Sequence, residues 1–215
     1  MLRDWKTALF SLLFPMETRC IACGNPIERG EMCPLCAHAW EAALPAAQAP
    51  QVEGADWTAC GLPYEPVVRG AIHRYKFECV RAASAALADP MIRLLPEDVD
   101  GLVPVPLHKR RERWRGFNQA RLLCERIAQS RGVQVVDALE RKRSTHEQAK
   151  LDASERAENL RGSIRACVDV TGLRLVVVDD VVTTGSTAAE CVRALKTAGA
   201  AWVGVLCAAH PRQVD

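Results

Sequence analysis

The stretch from residue 174 to residue 199 constrains the fold of this chain most. It begins R-L-V-V-V-D-D-V-V-T-T-G-S-T, and its later apolar residues recur with helical spacing until Gly199. A continuous apolar run like the one before the two aspartates is typical of a parallel strand buried on both faces. The stretch therefore predicts a strand, a short polar loop and a helix within an α/β fold.

The polar loop of this unit predicts an anion site. Two carboxylates, Asp179 and Asp180, end the strand. The small residues that follow are rich in hydroxyl and N–H groups: Thr183, Thr184, Gly185, Ser186 and Thr187. Unpaired N–H groups and the helix dipole at a helix start favour a phosphate, and the carboxylates suit ribose hydroxyls. A crossover turn that merely faces water and a receiver-type acidic pocket are the alternatives. Glu190, three residues after Thr187, predicts a capping box.

The four clustered cysteines predict a metal site. Two C-x-x-C pairs, which a nine-residue spacer separates, contain Cys20, Cys23, Cys33 and Cys36. Each pair places two thiolates on one tight turn, and two such turns can close a tetrahedral zinc site. The alternative is four unrelated surface thiols. We expect a small zinc-ribbon-like module with a structural Zn²⁺ in residues 1–56, together with an N-terminal helix and a linker, and the main domain in residues 57–215.

Composition limits the location and the partners. Ten cysteines, six of them scattered, argue for a reducing compartment rather than a disulfide scaffold. A net charge of +2 predicts no strong overall attraction to nucleic acid, so any basic surface is local. We interpret residues 1–15 as a short amphipathic helix rather than a signal peptide, and no other segment approaches the ~18 apolar residues of a membrane span. We therefore expect a cytoplasmic protein without membrane insertion.

A second strand–loop–helix unit carries a cationic loop. The strand G-L-V-P-V-P-L is followed by H-K-R-R-E-R-W-R-G-F-N-Q. This segment reaches the start of the next helix, where Asn and Gly favour capping and anion capture. The anion-site candidates there are Arg115, Gly116, Asn118 and Gln119. The loop binds pyrophosphate or a nucleic-acid backbone, or it is only a solubilising basic tip. Earlier in the chain, we interpret His73, Arg74 and Lys76 as the solvated face of a helix.

The polar stretch from Arg141 to Asn159 predicts a lid. A long, charged and weakly periodic segment in a compact domain is usually functional or disordered. The functional interpretation is a loop that closes over a ligand and excludes water. Its candidate residues are Arg141, Gln148, Arg156 and Asn159.

Taken together, these motifs resemble the competence protein F (ComF) family along nearly the whole chain. The features that carry the resemblance are L-L-F-P before the cysteine pairs, V-P-V-P-L-H-x-x-R, R-G-F-N-Q, R-x₆-Q-x₂-L-x₄-R-x₂-N and V-V-V-D-D-V-V-T-T-G-S-T. The resemblance implies a type I phosphoribosyltransferase fold, a mostly parallel sheet flanked by helices, that binds phosphoribosyl diphosphate (PRPP) with Mg²⁺. It also implies that Asp179 and Asp180 hold the ribose 2′- and 3′-hydroxyls while residues 183–187 wrap the 5′-phosphate. A likeness to glutamine PRPP amidotransferases implies that Val105 and Pro106 belong to a pyrophosphate loop and that residues 144–156 form the lid.

The function that the resemblance implies is the handling of imported DNA during competence. Implied partners are PRPP, single-stranded DNA, and DNA-uptake or recombination proteins. If the domain is an enzyme, a nucleophile displaces pyrophosphate from C1 of Mg²⁺-bound PRPP, but the sequence assigns no catalytic residue and no acceptor. The alternatives are a PRPP sensor without turnover, a single-stranded nucleic-acid-binding protein in which Trp114 and Phe117 stack bases, and a transferase for a small metabolite. We also expect Asp180→Asn to leave the fold intact or slightly more stable, because it removes a repulsion between adjacent carboxylates.

Overall fold

The computed structural model describes residues 18–44, 47–78, 80–107, 109–141 and 162–211. The expected helix in residues 1–15 lies outside the described residues. So do the lid candidates Gln148, Arg156 and Asn159, whereas Arg141 is described.

The described residues contain six helices and seven strands, and helices separate the strands of the sheet at most of its connections. The helices are α1 (Pro34–Ala43), α2 (Pro66–Phe77), α3 (Ala83–Leu94), α4 (Lys109–Arg115), α5 (Gln119–Arg131) and α6 (Ser186–Thr197). The strands are β1 (Trp57–Pro63), β2 (Gly101–Pro104), β3 (Gln134–Val135), β4 (Leu139–Arg141), β5 (Ile164–Ala166), β6 (Arg174–Val181) and β7 (Trp202–His210). Among the described residues, no helix combines the length and the apolar character that a membrane crossing requires.

Five strands form a parallel sheet in the order β1-β7-β6-β2-β3, and β4 pairs with β5 in a separate antiparallel ribbon. The predicted strand β6 lies between β7 and β2, and its residues 175–178 are fully buried. A strand in this position is covered by helices on both faces, which explains its continuous apolar run. The expected α/β architecture with a parallel sheet is therefore confirmed.

The alternation of side chains along β6 divides the core into two layers. Val176 and Val178 point into the layer that also contains residues of α2, α3 and α5. Leu175 and Val177 point into the opposite layer, with α6 and the β4–β5 ribbon. Because successive side chains of a strand point to opposite faces, this alternation also fixes the directions of the polar residues at the end of β6.

The linker before β1 lies along the last helix and strand. Asp56 accepts hydrogen bonds from Lys196 Nζ at 2.8 Å and from Val203 N at 2.7 Å. Earlier in the predicted N-terminal module (residues 1–56), Cys20 and Ile21 are buried in the same core layer as α2. Residues on both sides of position 56 thus pack on one sheet, and the division at residue 56 stays a prediction.

Two local predictions are wrong. The helix α6 begins at Ser186 with Gly185 as its N-cap, so Thr187 does not cap it. Glu190 instead accepts hydrogen bonds from Gly162 N at 2.6 Å and Arg193 Nη2 at 2.7 Å. The predicted cationic loop is also partly helical, because residues 109–115 form α4. Long Lys and Arg side chains lose little rotamer freedom in a helix, and this favoured the helix over the loop.

Candidate functional site

The two aspartates stand at the carboxyl end of β6 and point to opposite faces of the sheet. By alternation Asp179 faces the layer of α6, and Asp180 faces the layer of α2. The backbone N–H of Asp180 donates to Asp179 Oδ1 at 2.8 Å. The sequence predicted a pair acting together; the structure brings the two carboxylates to one strand end but gives each a different environment.

Asp180 forms an ion pair that the sequence analysis missed. Lys76 Nζ on α2 lies 2.7 Å from Asp180 Oδ1, and the two side chains are 20% and 10% exposed. The interpretation of Lys76 as part of a solvated face is therefore wrong. Lys76 lies one helical turn after the buried Ile72, and this i, i+4 spacing was the available signal.

Asp179 lies in an environment that favours its neutral form. Burial raises the pKa of the Asp179 carboxyl to about 8, repulsion by Asp180 adds to this effect, and the charge of Lys76 opposes it. The two adjacent carboxyls therefore differ: Asp180 contacts Lys76, whereas burial favours the protonated form of Asp179.

The predicted phosphate loop takes a tight path into α6. Gly185 has φ of +78°, and a Cβ at this position would lie 2.8 Å from the carbonyl oxygen of Gln51. Only glycine fits such a left-handed position against another backbone. Because glycine has no capping side chain, the first N–H groups of α6 are left for an external acceptor. The hydroxyls of Thr184 and Ser186 lie 3.0 Å apart beside them.

A cavity of about 530 Å³ opens beside this loop, between Thr183 and Thr184 on one side and the strap of residues 51–53 on the other. His210, the last residue of β7, also lines it. Its Nδ1 lies 2.6 Å from the carbonyl oxygen of Val182, just before the loop. His210 therefore stands at the carboxyl end of a buried strand, which is where α/β sheets place residues near a ligand site.

The second predicted anion loop lies beside β6. Val105 N donates to Val178 O at 3.0 Å, which places the end of β2 next to Asp179. Asn118 caps α5 by accepting from Arg121 N, as predicted, and its Nδ2 donates to Val105 O at 3.1 Å. Thus the two halves of the predicted loop, Val105 and Asn118, are in direct contact.

Gln119 and Arg115 complete this contact region. Arg115 Nη1 donates to Gln119 Oε1 at 3.0 Å, and Tyr75 Oη donates to the carbonyl oxygen of Gln119 at 2.8 Å. Tyr75 and Lys76 are neighbours on α2, so one helix contacts both the second anion loop and Asp180. Pro106 is partly exposed, and Gly116 is exposed.

An exposed row of aromatic rings extends from this region. The ring centroids of His73 and Phe77 are 4.8 Å apart, those of Phe77 and Trp114 are 5.9 Å apart, and Trp114 is 66% exposed. Arg115 lies over the Phe77 ring. Phe117, by contrast, is partly buried between Tyr75 and Arg81. Trp114 and Phe77 therefore present exposed rings, whereas Phe117 is partly buried.

The four predicted metal ligands come together. The Sγ atoms of Cys20, Cys23, Cys33 and Cys36 all lie within 4.8 Å of one another, and those of Cys23 and Cys33 are 3.9 Å apart. Four thiolates around a tetrahedral zinc with bonds of ~2.3 Å would be separated by ~3.8 Å. The residues present therefore fit a metal ion of this type.

The four neighbouring thiols differ in their pKa values. Burial would raise the pKa of Cys20, but hydrogen bonds from backbone N–H groups outweigh it and lower that pKa to about 6. Burial and the neighbouring thiols raise the pKa of Cys36. Four thiols this close cannot all ionise without a cation between them, and a bound metal ion supplies that charge.

Comparison with known proteins places the chain among phosphoribosyltransferase-like proteins. The sequence model of the phosphoribosyl transferase domain matches residues 115–213. The DNA utilization protein YhgH of Salmonella typhi is 40% identical over 157 residues, which cover 67% of each chain. The competence protein ComFC of Bacillus subtilis is 27% identical over 209 residues, which cover 87% of this chain and 82% of that protein.

Among solved structures, the glutamine PRPP amidotransferase of Bacillus subtilis is similar with a TM-score of 0.44 and 21% identity. The match covers 60% of this chain and 26% of the amidotransferase. The family assignment rests instead on the domain model and the sequence relatives, together with the parallel sheet. The chain belongs to the ComF family of phosphoribosyltransferase-like proteins.

Proposed function

We propose that this protein binds PRPP with Mg²⁺ at the carboxyl end of β6. The observation that carries the proposal is the start of α6, where Gly185 leaves N–H groups open directly after a strand that ends in two aspartates. The 5′-phosphate binds these N–H groups and the hydroxyls of residues 183–187. The ribose 2′- and 3′-hydroxyls donate to Asp179 and Asp180.

The charges around the site support the same ligand. Lys76 keeps Asp180 paired, so this carboxylate accepts hydrogen bonds without repelling an anionic ligand strongly. The loop between β2 and α5, with Val105, Pro106, Arg115, Gly116, Asn118 and Gln119, faces the pyrophosphate. Mg²⁺, when bound, neutralises part of the pyrophosphate charge. We propose that Arg141 and the lid candidates Gln148, Arg156 and Asn159 exclude water from the bound ligand.

Calorimetry with Mg²⁺-PRPP tests the proposal. The parent protein binds, and Thr184→Val, which keeps the side-chain volume but deletes a hydroxyl, weakens binding by ~1 kcal/mol, or about fivefold. Thr171→Val is the matched control, because Thr171 lies in the turn before β6 at the opposite end of the sheet. An absence of binding to the folded parent, or equal loss in both variants, would contradict the proposal.

We also propose that the four cysteines hold one structural Zn²⁺. The four mutually close sulfur atoms support a closed tetrahedral site, which leaves no open position for catalysis. The metal in this role stabilises the fold rather than taking part in chemistry.

The biological role that we propose is the handling of DNA. The relatives carry the names "DNA utilization protein" and "Competence protein". We infer for this chain a role with imported DNA, with single-stranded DNA and DNA-uptake or recombination proteins as partners. The observation that favours a nucleic-acid partner is the exposed row formed by His73, Phe77 and Trp114 with Arg115 over Phe77. Bases stack on such rings with little sequence preference.

Fluorescence titration with a short single strand tests the nucleic-acid interaction. Phe77→Ala combined with Trp114→Ala weakens binding at least tenfold, in line with the typical contribution of a stacked base. Leu35→Ala is the control, because it removes an apolar side chain that is 84% exposed from α1. If the double variant binds the single strand as tightly as the parent, the aromatic row does not bind nucleic acid.

A separate assay decides between a transferase and a PRPP sensor. The protein is incubated with Mg²⁺-PRPP and a panel of nucleophilic acceptors, and pyrophosphate release is measured. Release that depends on one acceptor establishes a phosphoribosyltransferase and names its substrate class. Binding without release under every acceptor supports the sensor.

A further inference from the structure

Helix α2 contacts both the metal centre and the candidate PRPP site. Its buried residues Val68, Ala71 and Ile72 lie in the same core layer as Cys20 and the two residues after it, 21 and 22. The first cysteine pair therefore packs directly on α2. The opposite end of the same helix carries Tyr75 and Lys76, which reach the site.

The turn of residues 20–24, which carries the first cysteine pair and is called the cysteine turn here, lies close to α2. A Cβ on Gly70, in the middle of α2, would lie 2.5 Å from the carbonyl oxygen of Ala22. A Cβ on Gly24 would collide with the guanidinium of Arg74, which also pairs with Glu78 at 2.6 Å. Backbone lies against backbone here, so the cysteine turn cannot move toward the helix without displacing it.

The far end of α2 makes two polar contacts with the site. Lys76 pairs with Asp180 at 2.7 Å, and Tyr75 donates to the Gln119 carbonyl at 2.8 Å. From Gly70 to Lys76 is about 9 Å along a helix, less than two turns. Over this distance an α-helix moves as a stiff unit, so a shift at Gly70 moves both contacts.

We infer that the cysteine metal centre positions the PRPP site through α2, with Lys76 as the positioning residue. The bound metal fixes the turn of residues 20–24, the turn fixes α2, and α2 holds Lys76 against Asp180 and Tyr75 against the start of α5. The ligand half of this inference rests on the proposed PRPP binding. If the two sites are coupled, each ligand raises the affinity of the other by the same factor.

The first experiment needs no PRPP. Amide hydrogen exchange is followed before and after removal of the metal with a chelator. Loss of the metal lowers the protection of residues 66–77 while β6 and β7 keep theirs. Unchanged protection of residues 66–77 in the metal-free protein would overturn the inference, whatever PRPP does.

The second experiment measures the coupling in the intact protein. Saturating Mg²⁺-PRPP raises the apparent zinc affinity, measured by competition with a zinc chelator, about fivefold or more in the parent. Gly70→Ala, which pushes the helix away from Ala22, still binds one zinc but loses this increase. Arg69→Ala, an exposed neighbour on α2, keeps it.

Lys76→Gln provides a variant that leaves the contact between Gly70 and Ala22 intact. It retains the zinc affinity of the parent but shows no increase with Mg²⁺-PRPP, which also controls for zinc binding by PRPP itself. Should Gly70→Ala fail to fold, this variant decides the question. Full coupling in Lys76→Gln overturns the inference; failure of the parent to bind PRPP overturns the proposed function and leaves the exchange experiment to test the metal centre.

Discussion

The side-chain amide of Asn118 connects the two halves of the second anion loop: its Oδ1 accepts from Arg121 N at 3.2 Å and its Nδ2 donates to Val105 O at 3.1 Å. Asn118→Ala removes both bonds and lowers the free energy of unfolding by ~1–2 kcal/mol. Asn118→Asp keeps the cap on α5 but replaces the donor to Val105 by an acceptor. Urea denaturation of both variants measures the two contributions, and equal stability of the parent and Asn118→Ala would contradict the assignment.

Asp180→Asn is expected to destabilise the protein. The ion pair with Lys76 removes the basis for the earlier expectation of an intact or slightly stabilised fold, because the amide leaves a largely buried ammonium without its charged partner. We expect the free energy of unfolding to fall by ~1–3 kcal/mol. Asp179→Asn is the matched control: it removes a carboxyl whose ionisation burial disfavours, so stability stays equal or rises at pH 8.5. Thermal unfolding that shows the reverse order would refute this account.

The affinity for Mg²⁺-PRPP should rise with pH in the range around 8. The groups that set the pKa of Asp179 are Asp180 on its own strand and Lys76 on α2, and the buried thiols of Cys191 and Cys207 lie close to it. The pKa of Asp179 is raised from its ordinary value of 3.8 to about 8 in the folded protein, so the folded state holds a proton at pH 7 that the unfolded chain has lost. The stability that this group contributes is complete below about pH 4 and is lost progressively as the pH rises to about 8. Ribose hydroxyls favour the ionised form, so binding at pH 7 releases a proton.

Calorimetry in two buffers of different ionisation enthalpy measures this proton release. In Asp179→Asn the release and the increase in affinity between pH 7 and pH 9 both disappear. An affinity that falls over this range in the parent would show that Asp179 does not accept hydrogen bonds from the ligand.

The purified protein should contain one zinc per chain. Cys23→Ser removes one of four ligands and should lower the zinc content and the thermal stability together, because metal binding in a closed site is coupled to folding. Elemental analysis under reducing conditions provides the measurement. Cys167→Ser, which changes an exposed cysteine outside the cluster, is the control and should keep its zinc. A metal-free, folded parent protein would refute the site.

Structural features that depend on residues close together in the sequence could be predicted. The run of residues 175–178 predicted β6, the spacing of the cysteine pairs predicted that the four thiols lie together, and Asn118 was recognised as a helix cap. In each case the physical cause acts within a few residues of the motif. The fold class followed because two strand–loop–helix units could be recognised in the sequence.

Contacts between distant segments were not predictable from the sequence. The ion pair of Lys76 with Asp180 and the position of His210 beside the phosphate loop depend on how α2 and β7 pack on the sheet. The capping box failed for a related reason: Gly185 turns the chain one residue earlier, and this freed Glu190 to bind Gly162 and Arg193. A single sequence does not show which of several local hydrogen-bonding options the tertiary fold selects.

The strand order also determines when the protein can fold during synthesis. In the described part of the chain, β1 pairs in the sheet with β7 alone, and the adjoining contact joins residues that are 147 positions apart. The ribosome therefore releases β1 long before its partner exists, and such distant pairing is slow because the intervening chain must first close. A stop codon placed before β7 would leave β1 without a neighbour, so nascent chains lacking the last strand should be preferred substrates of chaperones and proteases.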